Sequence, residues 1–264
     1  MDKLLDLKDI PQLADLPNPP KQVYFIGHPT KQLFDNCVAI VGTRAITEYG
    51  KRVIESLVPK LVFEKKVIVS GFMRGVDQYT HRVCVENGGK TIAVLGWGID
   101  TIFSTEDKKL ADAIVKNGGV LLSEWQTQRP TLWTFPVRNR IVAALAREVY
   151  IIEAGLKSGS LITANWAIKL KRKLFAVPGP ITSRVSEGTN ILIANGLAKM
   201  WCGIQQPTQK SSDDPILRAL EQEPLTIDQI SRNLNKPIAE LGASLSLLLL
   251  SGQIVERDGV YYKK

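Results

Sequence analysis

The chain has 264 residues with 34 Lys and Arg against 26 Asp and Glu, and at 44% hydrophobic and 23% charged it has the make-up of a folded globular protein. No apolar run reaches the roughly 18 residues of a membrane span, and "MDKLLDLKDI" lacks a signal-peptide core, so a membrane-free, cytoplasmic protein is expected. Three scattered cysteines (Cys37, Cys84, Cys202) and two histidines exclude a disulfide framework and a zinc site and call for no cofactor.

Residues 1–35 are proline-rich and read as an extended lead-in with one short strand, Val23–Ile26. Apolar runs then recur at Val38–Val41, Val67–Val69, Thr91–Leu95, Val120–Ser123, Val149–Ile152 and Leu174–Val177. Helical periodicity fills the intervals, over Glu48–Glu64, Val76–Asn87, Glu106–Lys116, Arg138–Ala146 and Leu161–Lys171. Short, almost wholly apolar strands alternating with helices predict βαβ units and a parallel sheet covered on both faces. The expected fold over residues 36–202 is α/β, a doubly wound, mostly parallel Rossmann-like sheet.

Residues 203–212 form a polar linker, and residues 213–264 a small C-terminal winged-helix domain. Its signals are "PILRALEQE" after Asp213 and Asp214, a Thr226 cap before "IDQISRNLN", "IAELGASLSLLLLSG" after Lys236-Pro237, and an Asp-Gly turn in "QIVERDGVYYKK". The charge is uneven. Residues 213–264 hold six basic and eight acidic residues, leaving 28 basic against 18 acidic in residues 1–212, so the excess that would attract a polyanion lies on the larger part.

Ligands of such sheets bind at the carboxyl ends of the strands. The first run ends in Gly42-Thr43-Arg44, where a hydroxyl and a guanidinium suit a phosphate, or where the arginine pairs with a nearby carboxylate. The second ends in "VSGFMRGVDQYTH", with Ser70, Gly71 and Arg74 at a helix start; Asp77 and His81, four apart, are an acid–base pair or a structural contact. Gly96-x-Gly98 after the third lacks the rest of a dinucleotide fingerprint, and there is no Walker A sequence. Trp133 and Phe135 precede Arg138-Asn139-Arg140, as stacking faces beside cations or as core residues. Lys157, Ser158, Gly159 and Ser160 open another helix, with amides free for an anion. Glu124 and Glu153 follow strands without an evident partner, so the strand ends look like an anion-binding surface, with no clear nucleophile–base pair.

The ordered series "AIVGTR", "VSGFMRGVDQYTH", "GGKTIAVLGWGID", "LLSE", "FPVRNRIVAAL", "SGSLITA", "FAVPGPI" and "EGTNILI", within residues 38–195, resembles the DNA-processing protein A family, also called DprA or Smf. The resemblance covers nearly all of the Rossmann-like region and, with weaker motifs, the C-terminal module. It implies a non-enzymatic, homodimeric protein that binds single-stranded DNA in a basic pocket. Such a protein protects DNA during natural transformation and helps to load RecA recombinase. The matching DNA-facing positions are Arg44, Ser70, Gly71, Arg74, Arg138, Arg140 and Ser158–Ser160. The small helical domain that often precedes the core in this family is expected to be absent. Phe72-Met73 replaces the family's Leu-Ala, and Trp97 stands where a small residue is usual, so added bulk is expected at the pocket.

The alternative is a nucleotide-binding hydrolase of the lysine-decarboxylase-like type, but Lys157–Ala164 lacks the paired glycines and glutamate of that pattern. A regulator reading duplex DNA through the winged helix is disfavoured, because "IAELGASLSLLLL" carries no Lys or Arg. A protein-contact or self-association role suits the module better.

Overall fold

Five consecutive residues, Cys37–Val41, are buried without interruption, and this run (β2) forms the middle of the larger sheet. The computed structural model describes residues 4–101, 104–203, 214–220 and 223–263. Its contacts divide the chain into two units, Met1–Gly203 and Ile204–Lys264. Most of the linker expected at 203–212 lies outside the described residues.

In the first unit, β1 (Tyr24–Gly27), β2, β3 (Val67–Ser70), β4 (Thr91–Val94), β5 (Val120–Ser123), β6 (Glu148–Ile151), β7 (Lys173–Ala176) and β8 (Lys199–Met200) form one sheet in the order β1-β5-β4-β3-β2-β6-β7-β8. Every pairing is parallel except β1 with β5. Because side chains alternate along a strand, β2 sends Cys37, Ala39 and Val41 into one apolar cluster and Val38 and Ile40 into the other. The helices α1 (Glu48–Phe63) and α2 (Val76–Glu86) cover the second face, and α4 (Thr134–Leu145) and α5 (Ser160–Lys169) the first. α3 (Thr105–Lys116) closes a further cluster through Leu110, Ala111 and Ile114, and α6 (Glu187–Ala194) follows β7. The expected doubly wound, mostly parallel architecture is present. Burying each large aliphatic side chain contributes about 1.5–3 kcal/mol, so this two-sided burial fixes the sheet firmly.

Two local differences matter. The segment before β2 carries short 3-10 helices at Leu7–Asp9 and Pro11–Asp15, and buries Ile10, Leu13 and Leu16 in the core of the first face. α4 begins at Thr134, four residues before its expected start, because Pro136 falls in its first turn, where a missing amide costs nothing.

The second unit has α7 (Pro215–Ala219), α8 (Ile227–Leu234) and α9 (Ile238–Leu250) with β9 (Leu225–Thr226), β10 (Ile254–Arg257) and β11 (Val260–Lys263) in an antiparallel sheet, β10-β11-β9. Thr226 and Gln229 make a reciprocal capping box at the start of α8. Leu241, Leu245 and Leu248 of α9 are buried, while Leu247 and Leu250 stand exposed. This is the winged-helix arrangement. No helix among the described residues is long and apolar enough to cross a membrane.

Candidate functional site

The connection from β2 runs to β3 on one side of the sheet, while β6 pairs on the other. That reversal opens a crevice at the carboxyl ends of β2 and β6. A cleft of about 570 Å³ lies there, and Gly42, Thr43, Arg44, Gly71, Asn139, Lys157, Ser158, Gly159 and Ser160 all line it. The turn, the α4 start and the α5 start, far apart in sequence, thus share one wall.

Backbone hydrogen bonds hold the turn after β2. The Thr43 amide donates to the Glu153 carbonyl at 2.7 Å, and the Val76 amide donates to the Thr43 carbonyl at 3.1 Å. Gly75 has φ +91°, and a Cβ on it would lie 2.4 Å from the Thr43 carbonyl oxygen, so α2 can abut the turn only with glycine there. Arg44 is left exposed, its guanidinium carbon 5.2 Å from the centre of the Phe135 ring. At the α5 start the Ser160 amide donates to the Ser158 hydroxyl at 3.4 Å, and the Ser158 and Ser160 hydroxyls lie 2.8 Å apart. The two hydroxyls and the helix dipole at the α5 start, the exposed Lys157 and Arg44 beside an aromatic face suit an anionic ligand that also carries flat rings.

The other expected residues are covered, engaged within the fold or outside the cleft. Ser70 is fully buried, and its hydroxyl donates to the Ile40 carbonyl at 2.6 Å. Gly96 lies beneath Phe135: a Cβ there would be 2.6 Å from the ring. Arg138 reaches the cleft wall but is 3% exposed, and its guanidinium donates to the Val94 carbonyl and to Asn139 Oδ1. It also faces the buried Asp77 across Gly71. Burial pushes the Asp77 carboxyl up and Arg138 pulls it back, so the pair stabilises itself rather than a ligand. Arg140 points away to an ion pair with Glu124 at 2.5 Å, both side chains mostly buried. Arg74 is exposed but outside the cleft wall. Of the predicted bulk, Met73 does line the cleft, but Phe72 and Trp97 do not. Phe72 is in the core, and Trp97 lies edge-on to both Phe72 and Phe135, backing the latter.

The two unpartnered glutamates of the sequence have partners. Glu153 accepts from the Thr47 amide at 2.9 Å and from the Thr47 hydroxyl at 2.5 Å, fixing the start of α1. Asp77 and His81 are a structural set. His81 is fully buried, with Nε2 donating to the Gly71 carbonyl at 2.6 Å and Nδ1 2.7 Å from the Thr91 hydroxyl. Met73, Leu132 and Arg184 also line the cleft. Arg184, in a 3-10 turn after β7, was the missed cation; only its place behind the Pro-Gly turn hinted at a strand end.

The model of the DNA recombination-mediator protein A family matches residues 5–212, and that of the DprA winged helix domain matches residues 205–259. Protein Smf of Escherichia coli is 33% identical over 251 residues, 86% of this chain and 67% of that protein. The X-ray structure of DNA processing protein A (DprA) from Streptococcus pneumoniae is 38% identical with a TM-score of 0.66, over 72% of this chain and 66% of that one. The chain therefore spans about two thirds of the length of either. The Helicobacter pylori DNA processing protein A, whose structure concerns its single-stranded DNA binding mode, is 36% identical with a TM-score of 0.65, over 72% of this chain and 86% of that one.

Proposed function

The chain belongs to the DNA recombination-mediator protein A family, and on that premise we propose that it binds single-stranded DNA in the cleft at the ends of β2 and β6. The observation that carries the reading is the pairing of Arg44 with Phe135 in the same cleft as Lys157 and the Ser158 and Ser160 hydroxyls. A strand without a partner needs phosphate-binding cations and amides, plus a face for bases to stack on, and no sequence readout. The single-strand binding mode described for the Helicobacter pylori protein supports the same assignment.

The finer parts of the reading are a homodimer that protects the strand in natural transformation and passes it to RecA recombinase in the cytoplasm. The mediator role in the family's description supports the hand-over. The reading is of a binding protein rather than an enzyme. The acidic and imidazole groups nearest the cleft, Asp77, His81 and Glu153, are each engaged in holding the fold. That also weighs against a hydrolase.

The test is fluorescence anisotropy with labelled single-stranded and matched duplex oligonucleotides over a salt series, for the full chain and for Arg44→Ala with Lys157→Ala. Preference for single strands that weakens steeply with salt and is lost in the variant is the expected result. Equal or stronger duplex binding would sink the assignment.

A further inference from the structure

Beyond Leu132 the chain builds a second hollow. Glu124–Arg129, leaving β5, and Gln22 and Tyr24, beside the start of β1, line an open cavity of about 520 Å³. Its wall is polar but nearly neutral, with the Gln22, Gln126 and Gln128 carboxamides and the Thr127 hydroxyl. Its one carboxylate, Glu124, is held by Arg140 at 2.5 Å, so it does not present a bare negative charge. The exposed Arg129 stands at the same wall. The loop is tied down. The Gly98 amide donates to the Gln128 carbonyl at 2.7 Å, Ile99 to Trp125 at 2.9 Å, and Asp100 to Gln126 at 3.0 Å.

Two tryptophans link this hollow to the cleft. Trp125 lines the hollow, and Trp133 caps α4 two residues before Phe135. Their ring centres are 5.8 Å apart with planes at 88°. Trp133 remains 53% exposed and Leu132, at the cleft wall, 91%. An exposed tryptophan braced edge-on by a second, between a cationic cleft and a carboxamide-lined hollow, leaves a flat apolar face open to solvent.

We propose that the hollow is a second subsite for unpaired nucleotides, taking the bases that run past the cleft, with Trp133 as the stacking step between them. This rests on the single-strand reading given above. Stacking on an indole needs no particular base. The Gln22 oxygen accepts from the Tyr24 hydroxyl and the Gln128 nitrogen donates to the Arg129 carbonyl, each at 2.9 Å. That leaves the Gln22 nitrogen to donate, the Gln128 oxygen to accept and the exposed Gln126 to do both toward the pairing edge of an unpaired base. Arg129 supplies the charge for a phosphate. A duplex has no free pairing edges to offer, so the subsite adds to single-strand preference.

The experiment compares thymidylate oligomers of about six and about twelve nucleotides, lengths that bracket one site and its extension, on the full chain by anisotropy. The wild type should bind the longer oligomer more tightly. Trp133→Ala should weaken the longer by about 10-fold and leave the shorter nearly unchanged, as expected from loss of one stacked base. Trp133→Phe should keep the longer oligomer's affinity, and Arg129→Ala should lower it alone. Thermal melting checks that each variant is folded. If Trp133→Ala weakens both lengths equally, or neither, the second subsite is overturned while the cleft stands. If the wild type binds neither oligomer, the single-strand reading fails and the subsite with it.

Discussion

The Arg44 guanidinium carbon stands 5.2 Å from the centre of the Phe135 ring, joining the turn after β2 to the first turn of α4. A cation over an exposed ring gains only about 0.5–1 kcal/mol, so the contact orients Arg44 more than it stabilises the fold. It also places a charge for a phosphate next to a face for a base. Arg44→Ala should lower single-strand affinity and make its dependence on log salt shallower by about 0.7, the value of one lost phosphate contact on a single strand. Arg44→Lys should keep the salt slope but bind less tightly, because an ammonium lacks the planar fork. Arg74→Ala, outside the cleft wall, should change both quantities less. A salt titration of the variants decides this, and an Arg74 effect as large as that of Arg44 would move the strand out of the cleft.

Gly96 seats Phe135. A Cβ at that position would lie 2.6 Å from the ring, and Trp97 stands edge-on to the same ring at 6.3 Å, limiting its retreat. Gly96→Ala should therefore displace Phe135 and cost about 10-fold in single-strand affinity through lost stacking. The salt slope should change less than in Arg44→Ala, since the guanidinium is kept even though the ring that orients it has moved. Anisotropy at two salt concentrations separates this outcome from loss of a phosphate contact.

The strands were legible because β2, β3, β4 and β5 are almost wholly apolar runs, each buried throughout, with only Ser70, Thr91 and Ser123 polar at their ends. β8 was not, because Lys199-Met200 is two exposed residues at an edge, with no apolar pattern. The Gly42–Arg44 turn and Lys157–Ser160 could be placed because a strand end or helix start is a local property of sequence. The roles of Arg138 and Arg140 were not local. Their guanidiniums read as free surface charges, yet each is engaged by groups the sheet brings from afar, Asp77 and Val94 for one and Glu124 for the other. Gly96 failed for the same reason: only the packing of α4 puts a ring above it.

The Arg140–Glu124 pair makes the distinction testable. Its side chains are 11% and 17% exposed, so removing one partner leaves a largely buried charge alone. Arg140→Gln should destabilise the fold by about 2–3 kcal/mol, below the range for a fully buried pair because some solvent reaches it. Adding Glu124→Gln should recover most of that loss. Urea unfolding of the single and double variants measures it. If Arg140 served mainly to hold phosphate, the single variant would lose affinity without losing stability, and the second substitution would rescue nothing.

His81 gives the fold a pH dependence of known sign. Burial holds its imidazole down at about 4, against an ordinary value of 6.5, with the Gly71 carbonyl partly opposing that shift. Between those values the unfolded chain binds a proton that the native protein does not, so stability rises with pH through this window and is complete above it. The full effect is about 3.5 kcal/mol at most, from about 1.4 kcal/mol for each pH unit of difference. Asp77, whose carboxyl burial pushes up, works in the opposite sense, so the wild-type profile alone would understate His81. Urea unfolding at about pH 5 and about pH 7, for the wild type and for His81→Gln, isolates the histidine. The wild type should lose stability on acidification, and the variant should lose distinctly less. In that window the native imidazole takes up no proton and Nε2 of His81 keeps its bond to the Gly71 carbonyl at the cleft wall, so single-strand affinity of the folded protein should not fall through this group. Identical acid sensitivity in the two proteins would mean that the buried imidazole is not what titrates.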